Sequence, residues 1–150
     1  MAVGYDSALV RYGELSLKGP LVRTEFEVRL AANIADCLKR AGVDHVISRT
    51  RGRIAVGTSQ PARASELVSK VFGVVSVSPA ITVPANIEAI KEAALRVAGQ
   101  RIVQHTPFRV DTNRGDKSFP MTSQQVNVEV GEEIRRNTGG KVNLGSPSVT

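Results

Sequence analysis

The spacing of apolar residues predicts a mixed fold in the first half of the chain. The segment Ser7–Tyr12 is rich in β-forming residues and predicts a strand. From Leu21 to Ala41 apolar residues recur every three or four positions, which predicts a helix of about five turns that Gly42 ends. A shorter helix is predicted over Pro61–Phe72, and Gly73 ends it.

Alternating apolar and polar residues predict the other strands of this half. One strand runs from Asp44 to Arg49, and a tight turn at Arg51-Gly52 leads into a second strand from Arg53 to Gly57. Val74–Val83 returns as a strand. The order βαββαβ is that of a ferredoxin-like unit, in which two helices cover one face of a four-stranded antiparallel sheet. We therefore predict an α+β fold with a ferredoxin-like domain at residues 1–80.

The second half predicts two helices and few strands. Asn86 caps a helix that continues to Ala98, Phe108–Thr112 alternates like a half-buried strand, and Thr122–Asn137 predicts another helix that Gly139-Gly140 stops. So few strands cannot bury both faces of a sheet. We expect the domain at residues 81–150 to be incomplete at its C-terminus and the chain to be the front of a longer protein.

The stretch Pro107–Ser123 carries the candidate chemistry. Its centre, Asn113–Lys117, holds two cations and Gly115, and a positive φ at this glycine would let backbone N–H groups approach a phosphate. Thr122 or Ser123 could cap the following helix and aim more N–H groups the same way. An ordinary solvated turn is the alternative interpretation.

The net charge says more about the function than the rest of the amino-acid composition does. The formal net charge is +6 and the pI is about 10.0, and the basic residues are spread along the chain. This pattern favours a folded basic face and an acidic partner.

Cysteine and histidine, the other residues that could carry chemistry, are few in this sequence. The one cysteine, Cys37, lies on the apolar stripe of the first long helix, so we expect a core thiol and a cytoplasmic setting. His45 and His105 lack a second ligand at metal spacing, so we expect no metal site. No apolar run is long enough to span a membrane, and we see no signal peptide.

Several motifs follow one another along nearly the whole chain: Tyr12-Gly13-Glu14-Leu15-Ser16-Leu17-Lys18-Gly19, then Arg23 and Phe26, then Phe72-Gly73-Val74, then Phe108-Arg109-Val110 with Arg114, Asp116, Lys117, Phe119, Pro120 and Ser123. In these motifs the chain resembles the N-terminal half of tRNA 4-thiouridine synthetase. That family is also called tRNA uracil 4-sulfurtransferase and is tied to thiamine biosynthesis through thiazole sulfur transfer.

The resemblance implies a ferredoxin-like domain followed by an α/β THUMP domain, an RNA-binding module. In the family these domains hold the tRNA acceptor end, so that a separate PP-loop domain can thiolate a uridine with ATP. It also implies a sulfur-donor protein such as a cysteine desulfurase, and it leaves a homodimer open. The glycine-serine-rich ATP motif is absent here, and Cys37 does not match the family's sulfur-carrying cysteine. We therefore expect no cofactor in this chain and no activity from it alone.

Basic residues are the candidates for RNA contact, because phosphate contacts supply affinity without sequence information. Few aromatic residues are present, which argues against a base-stacking platform. The primary candidates are Arg109, Arg114 and Lys117, with Lys141 nearby. The secondary candidates are Lys18, Arg23, Arg51 and Arg53.

Other function classes stay open at this point. The chain could be the THUMP-type RNA-binding part of another tRNA-modifying enzyme, or a ferredoxin-like regulatory or protein-interaction module, whose binding would be insensitive to salt. An acylphosphatase-like enzyme is disfavoured because Gly13–Gly19 contains neither arginine nor asparagine. No catalytic residues are predicted: the candidate carboxylates Glu25, Glu132 and Glu133 are interpreted as helix-surface charges.

Overall fold

The computed structural model describes residues 4–13, 19–50 and 53–150. The described residues divide into two compact units, 4–82 and 83–150.

The first unit has the predicted βαββαβ order. Its elements are β1 (Ser7–Tyr12), α1 (Pro20–Arg40), β2 (Val46–Thr50), β3 (Arg53–Gly57), α2 (Pro61–Val68) and β4 (Val74–Ala80). The strands form one sheet in the order β2-β3-β1-β4, and all neighbours are antiparallel. The ferredoxin-like prediction is confirmed.

The core of this unit lies between the helices and one face of the sheet. Alternate residues of β1 are buried, with Ala8 and Val10 fully inaccessible to solvent. Ile34 and Leu38, four residues apart on α1, are equally buried in the same cluster. The periodicities of two and about 3.6 that predicted these elements therefore select the residues that form the core.

The strand predicted over Asp44–Arg49 is observed as Val46–Thr50, and two other elements of this unit end clearly earlier than predicted. Helix α2 ends at Val68 instead of Phe72, because Val71 N–H donates to Val68 O at 3.0 Å in a tight turn that continues to Gly73, whose φ is 96°. Phe72 is left 96% exposed. Strand β4 ends at Ala80 instead of Val83, since Ala80 pairs with the first residue of β1.

The second unit has two helices and two very short strands. Its elements are α3 (Ile87–Ala98), β5 (Pro107–Phe108), α4 (Ser123–Thr138) and β6 (Lys141–Val142). Strands β5 and β6 are parallel, and Phe108 also forms a parallel bridge with Val149. The buried core consists of Ala98, Ile102, Phe108, Val126, Val130 and Ile134.

The strand predicted over Phe108–Thr112 is wrong in most of its length. Only Phe108 of that segment belongs to β5, and the Arg109 N–H still bonds Val149 O at 3.0 Å. Residues 110–112 have no ladder partner within the part of the chain that the structure describes. An alternating pattern forms a strand only where another strand pairs with it.

Local signals set the helix ends of this unit. Asn86 Oδ1 accepts the Ala89 N–H at 2.8 Å, as predicted for the cap of α3. Gly139 ends α4 with φ 76° in the left-handed conformation. Gly140 has a packing role, because a Cβ there would lie 2.6 Å from Ile102 Cγ2 and 2.9 Å from Phe108 Cδ1.

Candidate nucleic-acid interface

A cleft of about 590 Å³ lies against the stretch Pro107–Ser123, whose centre Asn113–Lys117 forms the basic turn. Its apolar lining comes from α3, the chain just before α3, α4 and the stretch Pro107–Ser123: Ala85, Ile90, Ala94, Val110, Phe119, Pro120, Val126 and Val130. Its polar lining comes from the turn region: Asp111, Thr112, Asn113, Arg114, Asp116 and Ser118. The predicted basic turn therefore borders a concave site in the second unit.

The turn is built differently from the prediction. Gly115 is not among the glycines with positive φ, so the expected left-handed nest of N–H groups is wrong. Instead, Asp116 Oδ1 accepts the Ser118 N–H at 2.9 Å and the Ser118 hydroxyl at 2.7 Å. A carboxylate that bonds the backbone two residues later forms its own turn, and no left-handed glycine is needed.

Arg114 connects this turn to the start of α4. The side chain is half-buried, and Nη1 donates to Phe119 O at 3.3 Å and to Met121 O at 3.2 Å. A guanidinium carries five N–H donors, so these two bonds use only part of its capacity. Arg114 therefore has a structural role that its sequence context did not predict, and its RNA contact stays a prediction.

The N-terminus of α4 is capped by its own side chains. The Thr122 hydroxyl accepts the Gln125 N–H at 3.2 Å, and Gln125 Oε1 accepts the Thr122 N–H at 2.8 Å. This reciprocal pair is a capping box, and it selects Thr122 over Ser123 as the cap. Because the box already satisfies the Gln125 N–H, this helix end offers fewer donors to a phosphate than expected.

Lys141 lies on β6, and Arg109 directly follows the neighbouring strand β5. The β5–β6 register pairs Pro107 with Lys141 and Phe108 with Val142. Arg109 Nη1 donates to Leu144 O at 3.1 Å. Its Nε lies 3.2 Å from Asp111 Oδ2 without hydrogen-bond geometry, so this contact is an ion pair only.

Two lysines of the predicted set are exposed. The side chains of Lys117, in the turn, and Lys141, on β6, both face solvent. Neither forms a salt bridge within the described ranges of the chain. Both side chains are accessible to a ligand, and RNA contact by either lysine stays a prediction.

The candidates of the first unit are less completely described. Lys18 and Arg51 lie outside the described residues. Arg23 is exposed in the first turn of α1, and Arg53 is half-buried at the start of β3.

The third arginine of the predicted hairpin, Arg49, is held on the helix side of the sheet. Its Nη1 lies 3.5 Å from Glu27 Oε2. Glu27 is 9% exposed, and its other carboxylate oxygen accepts a hydrogen bond from the Tyr12 hydroxyl. A guanidinium paired with a buried carboxylate is a poor candidate for phosphate contact.

Arg11 is a basic residue that was not among the predicted RNA contacts. Arg11 lies on β1, and its Nη1 donates to Ser78 Oγ at 2.9 Å and to Ser76 Oγ at 3.3 Å. The available signal was the alternation of β1, in which Ala8, Val10 and Tyr12 face the core and Arg11 faces the other way.

Helix α4 carries cations that are already paired. Glu132 bonds Arg135, and Glu133 Oε2 lies 2.7 Å from Arg136 Nη2. The hydrogen bond from Arg135 lowers the pKa of Glu132 below its usual value. These helix-surface pairs agree with the interpretation of Glu132 and Glu133 as surface charges.

A further ion pair joins the two helices of the second unit. Lys91 Nζ on α3 lies 3.0 Å from Glu129 Oε2 on α4. The hydrogen bond to Glu129 raises the pKa of Lys91. Lys91 therefore stays charged at neutral pH and links the two helices.

The described part of the chain contains neither a metal-binding cluster nor a membrane-spanning helix. No group of three or more His, Cys, Asp and Glu side chains there could hold a metal ion. No helix among these residues is both long and apolar enough to cross a bilayer.

Two family models match the chain, and each falls within one structural unit. The ThiI ferredoxin-like domain matches residues 7–78, and the THUMP domain matches residues 84–150. Together they account for nearly all of the sequence.

Two curated relatives are both named "Probable tRNA sulfurtransferase". The one from Thermococcus kodakarensis is 35% identical over 93% of this chain and 38% of its own length. The one from Moorella thermoacetica is 40% identical over 91% of this chain and 34% of its own length. The chain thus spans little more than a third of the length of these relatives.

Two solved structures share the fold. PH1313 from Pyrococcus horikoshii is 35% identical, with a TM-score of 0.85 over 95% of this chain and 48% of that protein. A 4-thiouridine synthetase–RNA complex with bound ATP is 23% identical, with a TM-score of 0.76 over 97% of this chain and 37% of that chain, and so supports the fold alone. With its two domain matches and these relatives, the chain belongs to the tRNA sulfurtransferase family, of which it carries the ferredoxin-like and THUMP domains.

Proposed function

We propose that this chain is the tRNA-binding part of a tRNA uracil 4-sulfurtransferase and holds the tRNA acceptor end while a separate PP-loop domain thiolates a uridine. The observation that carries the proposal is the THUMP match over residues 84–150, the unit in which a basic turn borders a cleft. The names of the full-length relatives support the same activity for the longer protein.

Exposed cations supply the affinity in this proposal. Lys117 and Lys141 are free of salt bridges within the described residues, and Arg109 and Arg114 keep guanidinium donors beyond those used in the structure. Such contacts release counterions from the RNA, so binding falls steeply as salt rises. The chain recognises the shape of the acceptor stem and its single-stranded end, with few base contacts.

The cleft gives the single-stranded end a place to lie. Its apolar lining can pack against a nucleotide that has left the stem, and the polar side chains from Asp111 to Ser118 can bond to that nucleotide's polar edge. A blunt duplex offers no such nucleotide. The proposal therefore favours RNA with a free 3′ end.

The chemistry of the reaction lies outside these residues. The residues present do not fit ATP, since no glycine-rich phosphate-binding motif occurs in the sequence. ATP, a sulfur-donor protein such as a cysteine desulfurase, and any homodimer belong to the longer cytoplasmic protein in this proposal. The chain alone binds RNA without turnover.

The test removes the two exposed lysines. Lys117→Gln combined with Lys141→Gln should weaken tRNA binding and reduce the magnitude of the salt slope by up to about two, because each phosphate contact contributes about 0.7 to 0.9. Fluorescence anisotropy at several salt concentrations measures both quantities. Arg114 is left intact because its removal would also release the turn from Phe119 and Met121.

The control has the same change in charge elsewhere. Lys39 and Lys70 are exposed in the first unit, and Lys39→Gln with Lys70→Gln removes two cations there. This variant should keep the wild-type salt slope. A Lys117/Lys141 variant that behaves like the control would remove these lysines from the RNA site.

A further inference from the structure

The sequence motif Phe72-Gly73-Val74 leaves its aromatic side chain outside the core. Phe72 is 96% exposed, the largest exposed fraction of any large apolar side chain among the described residues. It belongs neither to the buried cluster of the first unit nor to the side chains packed against that cluster. Exposure of a whole phenyl ring to water is unfavourable, so the fold does not explain this side chain. The proposed function does not use it either.

The turn that carries Phe72 is held in place on both sides. The Val74 N–H donates to Val71 O at 3.2 Å. Gly73 has φ 96° and lies tightly against α1, since a Cβ there would be 3.2 Å from Phe26 Cζ. Because this backbone is already ordered, little main-chain entropy is lost when Phe72 binds another surface.

A groove of about 340 Å³ lies directly beside Phe72, between α1 and α2 with the turn that follows α2. Cys37, Leu67 and Val71 are half-buried and form its apolar part. A cavity of about 150 Å³ holds benzene, so the groove has room for a phenyl ring. An exposed phenylalanine therefore adjoins an opening that fits a second phenylalanine.

This arrangement makes the surface complementary to itself. A two-fold dimer uses the same patch on both copies, so a projecting side chain of each copy can enter the groove of the other. The charges allow the same exchange. Asp36 and Arg40, one turn apart on α1, both line the groove with side chains 62% and 76% exposed. Across a two-fold axis, each can pair with the opposite charge of the other copy.

We propose that two copies of this chain associate through this surface, each placing Phe72 in the α1–α2 groove of the other. The contact is small, because a few side chains from each copy bury less than the roughly 1,200 Å² of a standard interface. The chain should therefore form a weak dimer whose population rises with concentration. The inference does not depend on RNA, and its failure would leave the proposed function intact.

Phe72→Ser is the direct test, because it removes the ring from an exposed position where the fold does not need it. Leu21→Ser is the matched control, since Leu21 is 81% exposed on α1 and does not line the groove. Sedimentation velocity from about 10 μM to about 1 mM, the range in which weak complexes form, measures association. Circular dichroism shows whether each variant is folded.

The only cysteine of the sequence reports on the same surface. Cys37 lies in the groove, so a phenyl ring from another copy would cover its thiol. With excess reagent, alkylation of Cys37 should slow as the wild-type concentration rises and stay constant in Phe72→Ser. Phe72→Ser should weaken association about tenfold or more, because one buried aromatic residue carries much of a small interface. Leu21→Ser should behave as wild type.

A charge exchange tests the two-fold geometry. Asp36→Arg combined with Arg40→Asp keeps an opposite pair on α1 but reverses the charges offered to another copy. Two exchanged chains should associate as two wild-type chains do. An exchanged chain should associate with a wild-type chain severalfold more weakly, because like charges would meet. This variant decides the question if Phe72→Ser is unfolded.

Three results would overturn the proposal. The first is sedimentation of the folded wild-type chain that does not change with concentration. The second is undiminished association of a folded Phe72→Ser chain, since another surface would then be responsible. The third is equal association of exchanged chains with wild-type chains and with each other.

Discussion

The two units of this chain reach an α+β fold with very different amounts of sheet. The first has four strands of 5 to 7 residues in one antiparallel ladder, with two helices packed on one face. The second has two parallel strands of 2 residues each, and its core lies mainly between α3, α4 and Phe108. The stability of the second unit therefore depends on few side chains.

The placement of the candidate cations follows this difference. In the first unit Arg11 and Arg53 lie on ladder strands, so the sheet fixes their positions. In the second unit Arg114 and Lys117 lie on a segment without strand partners among the described residues, and side-chain bonds of Asp116 and Arg114 hold it. Small changes near this segment should therefore alter binding more easily than changes in the sheet.

The largest effect is expected from Phe108→Ala in the second unit. Phe108 is 1% exposed and belongs to both the ladder and the core, so its removal should cost about 3 to 5 kcal/mol. Hydrogen exchange resolved by residue should show that α3 and α4 lose protection while β1 and β3 keep theirs. Val103→Ala, at a residue 68% exposed, is the control and should be almost neutral. Equal loss of protection in both units would contradict the view that each has its own core.

An intermediate effect is expected at the start of α4. Thr122→Ala removes the capping box and should cost about 1 kcal/mol of unfolding free energy in urea titration. Ser123→Ala, the neighbouring hydroxyl, should cost less than about 0.5 kcal/mol. If the two variants were equally destabilised, Thr122 would not be the functional cap.

The smallest effect concerns an exposed carboxylate of the first unit. Hydrogen bonds from the Ser59 hydroxyl and backbone N–H hold the pKa of Asp44 below its ordinary value of 3.8. Because the folded-state pKa is lower than the unfolded one, this carboxylate stabilises the fold above pH 3.8, and its contribution is lost as the pH falls through the folded-state value.

Asp44→Asn should therefore lower the unfolding temperature slightly at neutral pH, and the difference from wild type should shrink in acid. Thermal unfolding at a series of pH values measures it, with Glu66→Gln as a control of equal charge change. A constant difference between Asp44→Asn and wild type across this range would show that the carboxylate is not responsible.

Local signals in the sequence predicted much of this structure. Helix periodicity located α1, α3 and α4. The cap at Asn86, the cap expected at Thr122 or Ser123, and the glycine at position 139 placed the ends of α3 and α4, because each acts within one turn of chain. β-Forming residues and alternation predicted the strands of the first unit, and in the structure each of these strands pairs with a neighbour. The same alternation failed at Phe108–Thr112, since pairing is a property of distant residues.

The site was harder to predict from the sequence than the fold, because its contacts depend on how the chain folds back on itself. The bonds of Arg114 to Phe119 and Met121 depend on how the segment folds back, and no spacing rule describes them. The serines beside Arg11 are 65 and 67 residues away in sequence. Which basic residues lie side by side therefore became visible only in three dimensions.

The most direct test of the central claim compares two RNAs. An acceptor-stem minihelix with a single-stranded 3′ end and the same stem with a blunt end are titrated against the 150-residue chain at low and physiological salt. We predict tighter binding to the minihelix with the free end, and a steep loss of affinity for both RNAs as salt rises. Equal, salt-insensitive binding of the two RNAs, or no binding by a folded sample at low salt, would contradict the claim that this chain holds the tRNA acceptor end.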